Sequence, residues 1–390
     1  MLIELHGAQF MNKGAELMLR TAIDRLESYG HRHFVVDPVI GTYAERSALG
    51  LKQIFPMRFW MGNRKFRPML AVQKWWPRAP FRRIREHYGC VTIAEVDALV
   101  DMAGFAYTDQ WGTRPIADFA ALTAYYRKRG RPIILLPQAF GPFSRTGEHF
   151  QRIIDNATLV FARDKQSFEF AKDVTGASEN LRLAPDITLF GTSTQCFVTP
   201  DGDLKQAYCC IVPNARMLDQ GSKEWRSKYV GMLTRAAREL LRAELSVKIV
   251  VHDTSGRDFE IANAIRGRVS TQGLKITQMR DPLSLRSLLG RSYFIIGSRF
   301  HALVAAFSQA VPSIGIGWAH KYDALYGDFG CNRFLVGASE SEASFFEKLG
   351  ILLDNEQNNH VRERISSKLD AMHRANVAMW DAVSAVLKVR

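Results

Sequence analysis

The sequence predicts an α/β protein built as two doubly wound, Rossmann-like domains, and three observations predict it. The chain has 390 residues, short apolar runs alternate with helical patterns through each half, and the composition breaks near residue 190. A single hydrophobic core stops growing at roughly 250–300 residues, so this length calls for two domains of roughly 150–200 residues each. Hydrophobic residues make up 47% and charged residues 23%, a globular balance that excludes a largely disordered chain.

In the first half a strand at about 1–6 leads into a helix at about 14–28, whose Leu17, Leu19, Ile23 and Leu26 follow helical spacing. The runs Phe34-Val35-Val36, Ala98-Leu99-Val100, Ile133-Ile134-Leu135-Leu136 and Leu159-Val160-Phe161 are short, and most precede helical stretches. Such runs suit buried strands of a parallel sheet. After Asp186, the stretches Gly191-Thr192-Ser193-Thr194-Gln195 and Thr199-Pro200-Asp201-Gly202-Asp203 read as loop and linker. The N-terminal domain is therefore placed over 1–195 and the second over 205–358.

In the second domain strands are expected near 207–212, 247–251, 293–296 and 312–316, with helices near 223–244, 257–268, 282–290 and 299–309. The tail, 359–390, places Val361, Ile365, Leu369, Met372, Met379, Val383 and Leu387 on one stripe of a long amphipathic helix. Such a helix needs a surface to cover and is expected to pack across both domains. Two facing domains put the carboxyl ends of both sheets around one cleft, where open α/β sheets bind ligands.

No apolar run approaches the roughly 18–20 residues of a membrane helix, and no basic segment followed by an apolar one opens the sequence. A cytoplasmic location is expected. The five cysteines, Cys90, Cys196, Cys209, Cys210 and Cys331, form no CxxC pair, so neither a zinc site nor a disulfide framework is implied. The net charge of +13 is local. Of 52 Lys and Arg residues, eleven lie between Arg46 and Arg85 with no Asp or Glu among them, which leaves 41 against 39 acidic residues elsewhere.

The candidate chemistry centres on Gly297-Ser298-Arg299-Phe300-His301, where an apolar strand turns into a helix with Ser298 at its N-cap position. Backbone N–H groups and the macrodipole at such a turn favour an anion. Arg299 adds a fork for phosphate or carboxylate, and His301 in the first turn supplies an acid or base. The alternative is a capped structural helix with Arg299 in a salt bridge. A second turn, Pro312-Ser313-Ile314-Gly315-Ile316-Gly317-Trp318-Ala319-His320-Lys321, follows on a neighbouring strand and offers His320 and Lys321, as cleft residues or as plain surface residues.

In the first half Phe161-Ala162-Arg163-Asp164 sets Arg163 at a strand's carboxyl end, either as a second anion fork or in an interdomain salt bridge. Further polar residues share strand-end positions: Asn12, Lys13 and Glu16, then Asp101 and Gly104, Gln138, Asn214 and Arg216, and His252 with Asp253. Each alone is explained by capping or turn formation, and their common placement is what points to a cleft. No Rossmann GxGxxG, Walker loop, HExxH or GxSxG is present, so dinucleotide binding and serine hydrolysis lose support.

These motifs resemble the polysaccharide pyruvyltransferase family. The carriers are Asn12-Lys13-Gly14-Ala15-Glu16, Leu136-Pro137-Gln138-Ala139-Phe140-Gly141-Pro142, Ala162-Arg163-Asp164 with Ser167, Ala184-Pro185-Asp186, His252-Asp253, and Gly297 to His301 followed by Pro312 to Ile316. The resemblance implies a GT-B-like pair of Rossmann-like domains, phosphoenolpyruvate as donor, no metal or other cofactor, and pyruvate attached as a cyclic ketal across two sugar hydroxyls. It maps the family's Arg-Asp pair to Arg163 and its late Arg-x-His to Arg299 and His301. The sequence departs from the family in reading Gly-Ala-Glu where many members have Gly-Asp-Glu, and in carrying the basic insert.

Ketal formation needs a proton at the methylene carbon of the enol phosphate, stabilisation of an electron-poor C2 and neutralisation of the departing phosphate. His301 as general acid, with Arg163 and Arg299 on the donor, meets those needs. The basic segment interleaves aromatics with cations, as in Phe59-Trp60 and Trp75-Trp76 beside Arg58 and Arg78. That composition suits an anionic membrane face and a lipid-linked saccharide acceptor, or simply a solvated loop. No nucleic-acid module surrounds it. The rival functions are a nucleotide-sugar glycosyltransferase of the same fold and a non-catalytic glycan- or lipid-binding relative.

Overall fold

The computed structural model describes residues 1–55, 78–191, 207–219, 222–253, 256–269, 271–317, 319–337 and 339–388. The aromatic-rich stretch 56–77, the expected linker beyond Gly191 and Trp318 lie outside the described residues. The chain forms two compact units. One comprises Met1–Phe10, Met18–Ile187 and Ala375–Arg390, and the other Met11–Leu17 with Thr188–Arg374.

The first unit is built on β1 (Leu2–His6), β2 (His33–Val36), β3 (Lys52–Ile54), β4 (Cys90–Val91), β5 (Ala98–Asp101), β6 (Ile133–Gln138), β7 (Leu159–Ala162) and β8 (Leu181–Leu183). They form one sheet in the order β4-β3-β2-β1-β5-β6-β7-β8, and the neighbours pair in parallel. Successive residues serve opposite faces. Ala98, Val100, Ile134 and Leu136 join one core layer, and Leu99, Ile133 and Leu135 join the other. This double burial is why the runs are continuously apolar instead of alternating. Helices α1 (Lys13–Ser28), α2 (Tyr43–Ala48), α3 (Arg78–Tyr88), α4 (Thr113–Arg127), α5 (Gly147–Asn156) and α6 (Lys165–Thr175) connect the strands.

The second unit repeats the plan with β9 (Tyr208–Val212), β10 (Ser246–Val251), β11 (Leu274–Gln278), β12 (Ile295–Gly297), β13 (Ser313–Ile316) and β14 (Leu335–Val336) in the order β11-β10-β9-β12-β13-β14. Its helices are α7 (Arg216–Asp219), α8 (Lys223–Arg242), α9 (Arg257–Arg268), α10 (Pro282–Gly290), α11 (Phe300–Phe307), α12 (His320–Asp328) and α13 (Glu342–Leu353). The final helix, α14 (Asn355–Lys388), contributes Val361, Ile365 and Leu369 to the core of the second unit. Its Met379, Trp380, Val383 and Leu387 enter a core of the first.

Strand order reverses once in each sheet, between β1 and β5 and between β9 and β12. At such a switch point the connections leave in opposite directions, and a crevice opens at the carboxyl ends of the two strands. The described ends of those four strands carry His6, Asp101, Asn214 and Ser298-Arg299.

The sequence reading missed β3, β4, β8, β11 and β14, which lie towards the sheet margins. They are two or three residues long or, like β11, largely exposed. It also set the strand before Gly297 at 293–296, whereas Tyr293 and Phe294 are buried ahead of the ladder and β12 starts at Ile295. Arg46, counted with the exposed basic segment, is instead a buried clamp. Its guanidinium donates to the carbonyls of Pro38, Ile40 and Gly41 and to Gln53 Oε1 at 2.7–2.9 Å.

The loop after β6 is held by Asp109. Its carboxylate accepts from Ser144 N (2.6 Å) and Oγ (2.5 Å), Arg145 N (3.1 Å) and Thr146 Oγ1 (2.8 Å). Burial pushes this carboxyl up, but the bonds from Ser144, Thr146 and Arg145 outweigh it and hold it below the ordinary 3.8. The lowered value makes Asp109 stabilising above its unfolded pKa, and the contribution disappears as pH falls through the folded one. Asp109→Asn is expected to cost about 1.5–3 kcal/mol at neutral pH. In denaturant titrations the gap to wild type should narrow once the pH drops below 3.8.

Candidate functional site

In the second unit the candidate residues gather at the β9/β12 switch point and the neighbouring end of β10. After β9, Asn214 is buried and bridges the crevice. Its Nδ2 donates to the Ser298 carbonyl (2.8 Å), and its Oδ1 accepts from Arg216 N (3.0 Å). After β12, Ser298 is a structural hub and not the expected N-cap. Its Oγ lies 2.7 Å from the Tyr229 hydroxyl, its carbonyl accepts from Tyr322 Oη (2.8 Å) as well as from Asn214, and its N–H donates to Val212. The N-cap position of α11 belongs to Arg299, with no side-chain cap. Burial pushes the Tyr229 hydroxyl far above its usual range, so it serves as a neutral hydrogen-bonding group.

Arg299 is 12% exposed in its side chain and gripped by carboxylates. Asp258, fully buried near the start of α9, takes its Nε and Nη2 at 2.8 and 2.7 Å, and Asp253 faces Nη1 at 3.3 Å. The fork expected to grip a donor in bidentate fashion is thus occupied by Asp258, which also accepts from Ala215 N (2.9 Å). Coulombic attraction and hydrogen bonding from Asp258 raise the Arg299 pKa despite burial, which works the other way.

The start of α1 belongs to this unit, although it follows the first strand in sequence. Asn12 pairs with Asp253 as an antiparallel bridge, and Lys13 N reaches the His252 carbonyl at 3.4 Å. Asn12 Oδ1 accepts from Gly14 N (3.0 Å), which caps the helix entry. Lys13 is buried against Glu16 at 2.6 Å. Gly14 is required by His301: an added Cβ would lie 2.3 Å from the imidazole ring. Two motifs almost three hundred positions apart therefore meet at van der Waals contact.

His252 is 4% exposed, and its Nδ1 has no hydrogen-bond partner among the described residues. Burial first, then the nearby Arg299, His301 and Lys13, push it well below 6.5. His252 is accordingly neutral at physiological pH. Four nitrogen-bearing side chains, Lys13, His252, Arg299 and His301, thus share one small region with Glu16, Asp253 and Asp258.

Lys321 Nζ lies 5.4 Å from the centre of the Phe300 ring, beside the same turn, and His320 starts α12 on the strand next to β12. Arg216 is half exposed, and its guanidinium faces Asp219 at 3.9 Å. In the first unit Arg163 is buried, and its Nη1 donates to Asp186 Oδ2 at 2.9 Å, an ion pair within that unit. Asp164 caps α6 by accepting from Ser167 N (2.7 Å) and Oγ (2.9 Å), which accounts for that motif. Gln138 Nε2 donates to Asp101 at 2.6 Å.

The sequence reading missed Asp258, Tyr229 and Tyr322. Asp258 carried one faint signal, an acidic residue in the first turn of a predicted helix. The two tyrosines lie within amphipathic helices, where they read as core. Among the described residues no cluster of three or more His, Cys, Asp and Glu side chains is arranged to hold a metal ion. No described helix is long and apolar enough to cross a membrane.

Comparison with solved structures gives the fold its class. MnaA of S. aureus, in a structure with UDP, matches with a TM-score of 0.58 at 13% identity, over 94% of this chain and 91% of that one. UDP-GlcNAc 2-epimerase from Neisseria meningitidis, bound to UDP-GlcNAc, matches with a TM-score of 0.58 at 9% identity, over 97% and 99%. HepE of Anabaena in complex with UDP gives 0.58 at 12% identity, with 100% of both chains covered. At these identities the likeness establishes the fold alone: two parallel, helix-flanked sheets of the GT-B-like class. No curated protein matches the sequence. The family model described as polysaccharide pyruvyl transferase matches residues 12–320, and the chain belongs to that family.

Gly14→Ala is expected to destabilise the protein by about 1–3 kcal/mol, because the methyl group must displace His301 or the start of α1. Gly231→Ala in α8, where an added Cβ meets nothing within 4 Å, should instead stabilise by about 0.4–1 kcal/mol. Paired urea melts check the contrast.

Proposed function

We propose that this protein transfers the pyruvyl group of phosphoenolpyruvate to hydroxyls of a glycan or lipid-linked saccharide, forming a ketal and releasing phosphate. The observation that carries the reading is the meeting of Lys13, His252, Arg299 and His301 at one switch point, with the His301 ring seated on Gly14. A compact trianion fits such a group. Lys13 and the Nη1 edge of Arg299 supply cationic donors, and neutral His252 offers a further polar contact.

In this reading His301 delivers a proton to the methylene carbon, which becomes the methyl group, and C2 becomes electron-poor. One acceptor hydroxyl adds to C2. A second then displaces phosphate as the bond between C2 and the bridging phosphate oxygen breaks; one hydroxyl proton leaves with phosphate and the other restores His301 through solvent. Arg299 neutralises charge on the donor as this proceeds. Asp258 keeps its guanidinium in place. Arg163 is a further donor-binding candidate through its motif.

Thermal shift separates this reading from its rivals, because a ligand of the native state raises the melting temperature. Phosphoenolpyruvate is expected to stabilise the protein. Stabilisation by nucleotide sugars alone would overturn the pyruvyl-transfer reading in favour of a glycosyltransferase, and a response to neither would favour a glycan- or lipid-binding relative. His301→Ala should retain the phosphoenolpyruvate shift while acceptor-dependent phosphate release falls by about 10²–10⁴.

Peripheral contact with an anionic membrane through 46–85 is the second part of the proposal. Exposed Arg82 and Arg83 on α3, with the exposed edge-to-face pair Tyr43 and Tyr88 (6.1 Å), support it. Flotation with phosphatidylserine vesicles at low salt should carry the protein upward, and added salt should release it. Failure to float even at low salt rejects the contact.

A further inference from the structure

Two carboxylates of the second unit hold Arg299, and they hold it unequally. Asp258 has a fully buried side chain and accepts from Nε at 2.8 Å and from Nη2 at 2.7 Å. It also accepts from Ala215 N at 2.9 Å. Asp253 faces the remaining nitrogen, Nη1, at 3.3 Å, and its side chain is 17% exposed. Both carboxylates attract the Arg299 charge, Asp258 more strongly than Asp253.

The two differ in what their removal from the guanidinium would cost. Displacing Asp258 would strand a buried charge and release a backbone N–H, which is strongly unfavourable. Displacing Asp253 asks far less, because its carboxylate already meets solvent and stays hydrated as it turns away. The backbone at Asp253 is tied down meanwhile. It pairs with Asn12 as an antiparallel bridge, and Lys13 N reaches the carbonyl of the preceding His252 at 3.4 Å. Release of Nη1 therefore needs a side-chain rotation and no movement of the chain.

The surroundings favour an anion in the vacated place. Lys13, Arg299 and His301 all act electrostatically on the buried His252 ring, which sets the three around one spot. All of these residues belong to the second unit, Asn12 and Lys13 through its segment Met11–Leu17 and the others through Thr188–Arg374.

We infer that Asp253 is an internal counter-anion that occupies an anion subsite on Arg299 and is displaced when a carboxylate or phosphate oxygen of the donor takes Nη1. The inference rests on the pyruvyl-transfer reading and adds a step at each end of it. Donor binding exchanges one anion for another at a guanidinium that Asp258 keeps in place. As the product anion leaves, Asp253 returns to Nη1 and competes against its rebinding.

Isothermal titration calorimetry on the full-length protein tests this with phosphoenolpyruvate, inorganic phosphate and pyruvate. Asp253→Asn removes the charge at nearly constant shape, and Asp253→Ser is a second neutral replacement. With the competitor gone, both variants are expected to bind phosphoenolpyruvate about three- to tenfold more tightly than wild type. A merely structural role for Asp253 predicts a loss, not a gain. Phosphate tightening by a similar factor sets the donor's phosphate at Nη1, and pyruvate tightening sets its carboxylate there; either upholds the exchange. A wild type that binds phosphoenolpyruvate beside variants that bind it equally or more weakly overturns the inference alone. Tighter phosphate in both variants, with phosphoenolpyruvate bound by none of the three proteins, upholds the exchange and overturns the pyruvyl-transfer reading. No binding of any of the three anions by any protein overturns both.

Discussion

The site in the second unit depends on the buried carboxylate of Asp258. An arginine placed where β12 turns into α11 would be a desolvated charge without it, and removing one partner of such a pair typically costs about 3–5 kcal/mol. Asp258 does more than neutralise. By taking both Nε and Nη2 of Arg299, it sets the plane of the guanidinium. By also accepting from Ala215 N, it anchors the turn after β9. One carboxylate thereby ties the ends of β9 and β12 to the first turn of α9, and the groups those ends present inherit its rigidity.

Much of this was legible in the sequence, for a definite physical reason. Runs such as Ile133-Ile134-Leu135-Leu136 have no polar alternation, and only a strand covered on both faces tolerates that. The parallel architecture follows, and with it the rule that polar residues at strand ends gather at a crevice. Asn214, His252, Asp253, Arg299 and His301 were all reached by that route. The motif at Lys13 and Gly14 was legible as chemistry but not as place, since nothing in a linear reading shows that the first turn of α1 belongs with strands formed two hundred residues later.

What stayed hidden is the wiring. Arg299 as an anion fork and Arg299 in a salt bridge produce the same letters, and the choice depends on Asp258, forty-one residues upstream. Ser298 looks like an N-cap until Tyr229 and Tyr322 claim its hydroxyl and carbonyl. Arg46 looks like one more surface cation in a basic run, yet three carbonyls enclose it. In each case the residue type constrains the chemistry and a distant partner decides it.

On the proposed pyruvyl-transfer reading, the charge arrangement of the second unit's site favours exchange as its mode of binding. Lys13 is held by Glu16, and Arg299 is held by Asp258 and Asp253, so no large surplus of positive charge awaits an anion. The contacts are unequal, however. Asp258 makes two bonds below 3 Å from a fully buried position, whereas Asp253 faces Nη1 at 3.3 Å and is 17% exposed. An incoming phosphate or carboxylate that replaces Asp253 at Nη1 gives up little and leaves the orienting pair intact. Such a site is neutral enough to fold without an anion bound and discriminates by geometry, since a ligand has to present its charge along the one guanidinium edge that Asp258 leaves open. A compact donor with charge at both ends of a three-carbon frame meets that condition more readily than an extended diphosphate.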